Sequence, residues 1–175
     1  MTSYTILKTK QLGDLLLTAN DKHLTGIYFQ NCKHALSLQP DWKLDARHPV
    51  LKQAGAELQE YLVGQRKDFS VPMRFGGTDF QNEVWRQIAR IPFGQTITYT
   101  ELARRAGKPA AVRAAGTATG RNPLSVIIPC HRVIGKNSTM HGYAGGLKRK
   151  EHLLELETTA AKTSMRPENL PAGTR

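Results

Sequence analysis

Between Thr78 and Gly120 the chain is punctuated so closely that only short helices fit. Thr78 with Gln81, and Thr98 with Glu101, have the spacing of a capping box, in which two side chains satisfy each other's free backbone N–H groups at a helix start. Phe80, Val84, Trp85 and Ile88 give the first helix an apolar stripe, on which Trp85 is a packing residue, and Pro92 ends it. The second helix runs from Tyr99 to Arg105 and stops at Gly107; Pro109 opens a third that reaches about Thr119, with Gly120 closing it. Two short helices joined by a glycine turn have the form of a helix-turn-helix. Arg113 is the only long polar side chain in its second helix. Base reading in the major groove needs Arg, Lys, Asn or Gln. A helix of Ala, Gly and Thr instead lies close to a backbone or narrow groove, which predicts minor-groove DNA contact with little sequence preference. The same small residues equally suit a helix packed tightly in a core.

Upstream, Tyr4–Thr9, Leu15–Ala19 and Leu24–Gln30 read as strands separated by turns at Gly13-Asp14 and Asn20-Asp21. Residues 32–48 have no clear period and read as loop. Pro49 opens a helix to about Val63, with Gly64 as its stop; Phe69–Phe75 reads as extended and Gly76-Gly77 as a linker. The expectation is an α/β (α+β) chain: a small α/β domain over 1–77, a mainly helical domain over 78–157 and a flexible tail over 158–175. A chain of 175 residues with 39% hydrophobic content can build a real core. It has no apolar run long enough to span a bilayer and no signal peptide at its start, so it is expected in the cytoplasm, or in the nucleus of a eukaryote.

The formal net charge is +11. From Leu102 to Lys150 there are ten basic residues and no Asp or Glu. That window is a solvated basic face or the footprint of a polyanion, most simply nucleic acid.

Ile127-Ile128-Pro129-Cys130-His131-Arg132-Val133-Ile134-Gly135 is the stretch that carries chemistry. An apolar run, read as a buried strand or extended segment, stops at a proline and presents a cysteine beside an imidazole. A thiolate is the nucleophile, and a free thiol must be deprotonated by neighbouring cations or a base. Adjacent residues of an extended chain point to opposite sides, so His131 reaches the sulfur only through a sharp turn or a bridging water. Glu151, Glu155 and Glu157 are the acids near enough in sequence to orient the ring. Cys32 reads as inert, and His23, His34, His48, His141 and His152 lack metal-site spacing. Beside DNA such a thiolate could hydrolyse a bond, accept a group or sense oxidation. An alkyl group on sulfur is a thioether that water does not displace, so a chain that took one would act once. The residues alone leave these uses open.

Pro129-Cys130-His131-Arg132-Val133-Ile134 resembles the active-site signature of the O6-alkylguanine-DNA alkyltransferases, or methylated-DNA–protein-cysteine methyltransferases. Phe80-Gln81-Asn82-Glu83-Val84-Trp85, Ile91-Pro92-Phe93-Gly94, Tyr99 with Leu102-Ala103, Arg113-Ala114-Ala115-Gly116, Asn122-Pro123 and Gly142-Tyr143-Ala144-Gly145-Gly146-Leu147 fall in family order. The resemblance implies a ribonuclease-H-like N-terminal domain and a winged helix-turn-helix-like domain carrying the cysteine. It implies a monomer that needs no cofactor or metal, acting on O6-alkylguanine in double-stranded DNA. Cys130 would accept the alkyl group. His131, through a water, and Glu157 would generate the thiolate, and Asn122 would fix the turn before it. The base would be flipped out, since O6 lies inside the duplex, and Arg113 would fill its place. Tyr99 would donate to N3, the carbonyls of Cys130 and Val133 would accept from the exocyclic amine, and N–H groups near Tyr143 and Ala144 would meet O6. Ala111, Ala114, Ala115, Thr117 and Arg121 would lie against DNA. Ala144 stands where family members often have Ser, and Ser125 where many have Pro, positions that bear on substrate range.

Overall fold

The computed structural model describes residues 1–32, 35–140 and 142–164. His34, His141 and the tail beyond Ser164 lie outside the described residues.

Strands β1 (Ser3–Thr9), β2 (Gly13–Ala19) and β3 (Leu24–Phe29) form an antiparallel meander. A two-residue strand β4 (Lys43–Leu44) joins β1 in parallel, so the sheet order is β3-β2-β1-β4. β4 was not expected. Both its residues are exposed and two positions cannot show an alternating pattern, so nothing local announces it. Central β2 buries Leu15, Leu16, Leu17 and Ala19 completely, as a strand covered on both faces does. Helix α1 (Pro49–Leu62) lays Leu51, Ala54, Leu58 and Tyr61 into the core, with proline in its first turn and Gly64 past its end at φ +78°.

The outer edge of β3 is not left open. Leu24 N donates to Pro72 O at 2.8 Å, Arg74 N to Leu24 O at 2.9 Å and Ile27 N to Pro123 O at 2.8 Å. The extended segment before Gly76 and the segment leading to Cys130 thus share one strand edge, which removes its unpaired groups from water.

The C-terminal half holds α2 (Asp79–Ala89), β5 (Ile97–Thr98), α3 (Tyr99–Arg105), α4 (Val112–Gly120), β6 (Val133–Ile134) and α5 (Leu147–Ser164). The Thr78–Gln81 capping box is complete. The Thr98–Glu101 box is half closed, because the Glu101 carboxylate turns to Arg104 and Arg105 instead. Helix α4 starts at Val112 rather than Pro109: Ala111 N closes a turn on Lys108 O first. Helix α5 continues well past Glu157 to Ser164. Its Thr158 and Thr163 hydroxyls bond back to the carbonyls of Leu154 and Thr159, and alanines favour the helix there. The flexible tail expected from residue 158 therefore does not begin there. Trp85 Nε1 donates to Ala118 O at 2.9 Å and ties α2 to α4. Among the described residues no helix is long and apolar enough to cross a membrane.

Candidate active site

Residues 124–128 form a turn, where the apolar run from Ile127 was expected to be a buried strand or extended segment. Ile128 N closes on Leu124 O, and Val126 sits at φ +74°, where a β-branched residue is strained. Asn122 holds the turn: its Oδ1 accepts from Leu124 N at 2.9 Å and its Nδ2 donates to Ile128 O at 2.7 Å, both buried. Cys130–Arg132 then make a single 3-10 turn. This is the sharp bend that lets consecutive residues face a common interior. Cys130 is 4% exposed and His131 is fully enclosed.

His131 Nε2 lies 2.8 Å from Glu157 Oε1. Arg132 Nε and Nη2 reach the same carboxylate at 2.9 and 2.8 Å, while its Nη1 is bonded to Ile91 O. Gly94 N donates to Glu157 Oε2 at 3.0 Å, and the Tyr61 hydroxyl donates to Oε1 at 2.5 Å. Burial alone would raise the Glu157 carboxyl; the bonds from His131 and Arg132 and their charges outweigh it and hold it down to about 2. Glu157 is therefore an anion that only accepts, so the proton between it and His131 sits on Nε2. Burial pushes His131 below its ordinary value, against the pull of Glu157. The ring is neutral, and its Nδ1 is the basic nitrogen, buried and without a partner among the described residues.

The Cys130 thiol is pushed up by burial; the Asn122 amide and the Lys150 ammonium act against that shift. Lys150 is completely buried and donates to Val133 O at 2.7 Å. The Tyr143 hydroxyl is also buried. It makes no hydrogen bond of good geometry, yet lies near enough to the sulfur for each to shift the other. β5 pairs with β6, Ile97 against Val133 and Thr98 against Ile134, which sets Tyr99 beside the cysteine turn. Burial and the nearby sulfur both raise the Tyr99 hydroxyl, so it stays a donor.

An open cleft of about 460 Å³ lies between Tyr99, Val112, Arg113, Gly116, Thr117 and Gly142. A smaller one of about 190 Å³ is lined by Tyr28, Cys32, Arg121, Asn122, Ser125 and Ala144 among others. The structure thus gathers Cys130, His131, Glu157, Asn122, Tyr99, Val133 and Tyr143 around the turn, with Ser125 and Ala144 at its side. On α4, Arg113, Ala114, Thr117 and the following Arg121 are exposed, and Ala111 is half-buried. Ala115 is the exception: it is fully buried and cannot touch DNA, because one face of so short a helix must pack on the core. The basic window is also smaller than it reads. Arg104 and Arg105 pair with Glu101, Arg132 pairs with Glu157, Arg149 bonds the carbonyls of Leu12, Gln30 and Gly145, and Lys150 is interior. Lys108, Arg113, Arg121, Lys136 and Lys148 remain as exposed cations.

Sequence reasoning missed Tyr61, Lys150 and the pairing role of Arg132. Tyr61 lies among the buried residues of α1 with Leu51, Ala54 and Leu58, where its spacing does not distinguish it from core. Lys150 and Arg132 were read as surface charge; only their position beside the cysteine turn and on the inner face of α5 distinguishes them.

Residues 79–159 match the family described as 6-O-methylguanine DNA methyltransferase, DNA binding domain, and residues 3–75 match its ribonuclease-like domain. The chain is 42% identical over 146 residues to the methylated-DNA–protein-cysteine methyltransferase of Methanosarcina barkeri, covering 83% of this chain and 91% of that one. It is 39% identical over 169 residues to the constitutive enzyme of Bacillus subtilis, covering 93% and 99%. The solved structure of Mycobacterium tuberculosis OGT in complex with DNA superposes with a TM-score of 0.82 at 36% identity, over 90% of this chain and 94% of that one. A sheet half, a short-helix half and a cysteine turn backed by a buried His–Glu pair define a protein-cysteine alkyltransferase fold. The chain belongs to the methylated-DNA–protein-cysteine methyltransferase family.

Proposed function

We propose that this protein repairs DNA by removing alkyl groups from O6 of guanine and keeping them on its own Cys130. The observation that carries the reading is the cysteine turn, where a neutral imidazole is locked by an ionised carboxylate with its basic nitrogen unpartnered. The relatives above are named for this reaction, and a similar chain is solved with DNA.

The chemistry follows from the geometry. Nδ1 of His131 takes the thiol proton through a water, and Glu157 steadies the imidazolium that forms. Lys150 and the Asn122 amide favour the thiolate. The sulfur attacks the alkyl carbon, a C–S bond forms, and the C–O6 bond breaks with its electron pair on the purine. Tyr99 donates at N3, so the base leaves neutral; the proton lost by sulfur balances the one gained by guanine. The thioether is stable to water, so each molecule reacts once. The flipped base enters the cleft beside Tyr99. Arg113 fills the gap in the stack, while exposed Ala114, Thr117 and Arg121, with Ala111, lie along the minor groove. The carbonyls of Cys130 and Val133 and the N–H groups at Tyr143 and Ala144 read the purine, and Ser125 and Ala144 border the space open to a larger alkyl group. In this reading residues 1–77 form the ribonuclease-like unit and 78–157 the DNA-binding and alkyl-accepting unit, working alongside DNA in the cytoplasm or nucleus.

The test is the mass of the intact chain after incubation with duplex DNA carrying O6-methylguanine. One methyl on Cys130, absent in Cys130→Ser, is expected. An unchanged mass would mean a lesion-binding module, and multiple turnovers would mean a thiol hydrolase.

A further inference from the structure

We propose that Tyr61, supplied by α1 of the N-terminal half, is a positioning residue for alkyl transfer. Its hydroxyl fixes the Glu157 carboxylate and, through it, the His131 ring in the orientation that keeps Nδ1 available as the base. This inference rests on the alkyl-transfer reading of Cys130 and adds to it a role for the ribonuclease-like half.

Tyr61 is completely buried. Its ring packs against Phe69 and Phe93, with centroids at 5.3 and 6.1 Å, and a phenylalanine would make both contacts. A buried hydroxyl is costly unless bonded. This one is directed into the cysteine relay, 2.5 Å from Glu157 Oε1 and 3.3 Å from His131 Nε2. Burial and the Glu157 charge keep the phenol protonated. Its one proton therefore goes to the carboxylate, and its lone pairs face the Nε2–H of His131. That N–H lies before two oxygens, one from α5 and one from α1. The ring cannot turn over without taking its N–H away from both acceptors and leaving it unpaired inside the protein. The charged groups around the hydroxyl are Glu157 from α5 and His131 and Arg132 from the cysteine turn, with Lys150 acting on His131 from α5. Each of them is bonded or packed independently of Tyr61, so removing the hydroxyl loosens the carboxylate without emptying the site.

The sign of the pH effect follows. A carboxylate that loses a donor concentrates its charge on His131 and makes the ring more basic. The neutral ring then appears at higher pH.

The experiment measures the rate of methyl transfer to Cys130 against pH in the full chain, together with DNA affinity and thermal midpoint. Tyr61→Phe is expected to react about tenfold more slowly, with the acid limb of its pH profile moved upward and DNA affinity unchanged. In a Glu157→Gln background the same change is expected to have little further effect, because residues acting through one another are not additive. A Tyr61→Phe rate within twofold of wild type with an unmoved acid limb would overturn the proposal. So would an equal loss in both backgrounds, which is the signature of packing alone. Should the Phe variant not fold, 3-fluorotyrosine placed at position 61 decides: a shifted acid limb supports the proposal and an unshifted one overturns it. A wild-type chain that forms no adduct would overturn the alkyl-transfer reading and this inference with it. Normal adduct formation beside an unaffected Tyr61→Phe overturns the inference alone.

Discussion

The side-chain amide of Asn122 donates to the carbonyl oxygen of Ile128 at 2.7 Å, two residues ahead of the nucleophile. With the return bond from Leu124 N, it holds Val126 in a backbone conformation that valine avoids. Asn122→Ala leaves the buried N–H of Leu124 unpaired and Ile128 O with Cys130 N as its remaining donor, which costs about 1–3 kcal/mol. The expected result is a lower unfolding midpoint in urea, with alkyl uptake falling further than DNA binding because the cysteine turn loses its support.

Glu157→Gln keeps the shape of the carboxylate and removes its charge. Without that charge the imidazolium loses its partner, and transfer to Cys130 is expected to slow on the order of a hundredfold or more. Arg132 is then buried without a counter-ion, so stability falls as well, by about 3–5 kcal/mol. Single-turnover kinetics and denaturant unfolding measure the two separately.

Stability should be lost on both sides of neutrality. His131 has a folded pKa below its ordinary 6.5, so its contribution is present above that pH and fades as pH falls. Glu157 adds a second loss, beginning near its ordinary 4.5 and complete as pH drops through about 2. Cys130 behaves oppositely. Its folded pKa is raised above 9.0, so its contribution is intact below 9.0 and declines as pH rises beyond it. Thermal midpoints across pH should show these limbs. Cys130→Ser should flatten the alkaline one.

Among the described residues, five cations of the basic window are exposed and free of carboxylate partners, and each phosphate contact releases about 0.9 counterion. The logarithm of DNA affinity should therefore fall with a slope of about −4 to −5 against log salt, far shallower than ten contacts would give. Arg121→Ala should reduce that slope by about one. Arg113→Ala should do the same and, in addition, slow repair in duplex DNA much more than reaction with the free base.

A Cβ on Gly145 would stand 2.8 Å from the ring of Phe29, which itself packs edge-on against Tyr143 at 5.6 Å. Gly145→Ala must displace the loop carrying Tyr143 and Ala144. A loss of about 1–3 kcal/mol is expected, with slower alkyl transfer and unchanged DNA affinity as the check.

Much of this was legible in the sequence where physics is local. Capping residues at Thr78 and Thr98, Pro49 and the stops at Gly64 and Gly107 marked helix ends because those signals act within a turn. Cys130 and His131 were legible as a reactive pair because a proline-terminated apolar run set them off. What local signals could not reach were contacts made at a distance. Tyr61 and Glu157 are 96 residues apart, and nothing on α1 separates a hydroxyl aimed at a carboxylate from one aimed at water. Ala115 was assigned to DNA because an alanine carries no mark of which helix face it occupies. Half of the basic window proved to be paired or interior: its carboxylate partners, Glu101 and Glu157, lie outside it, and the carbonyls it bonds, at Leu12, Gln30, Val133 and Gly145, carry no sequence mark.

The edge of β3 is shared by Pro72 and Arg74 of its own half and by Pro123 of the other, through main-chain bonds, which are indifferent to side-chain identity. Drift at these positions is therefore cheap, and relatives can differ there freely. An inserted or deleted residue is another matter, because it slides the seam out of step and carries the nucleophile with it. Lineages of this protein should accumulate substitutions along that seam while keeping its length fixed.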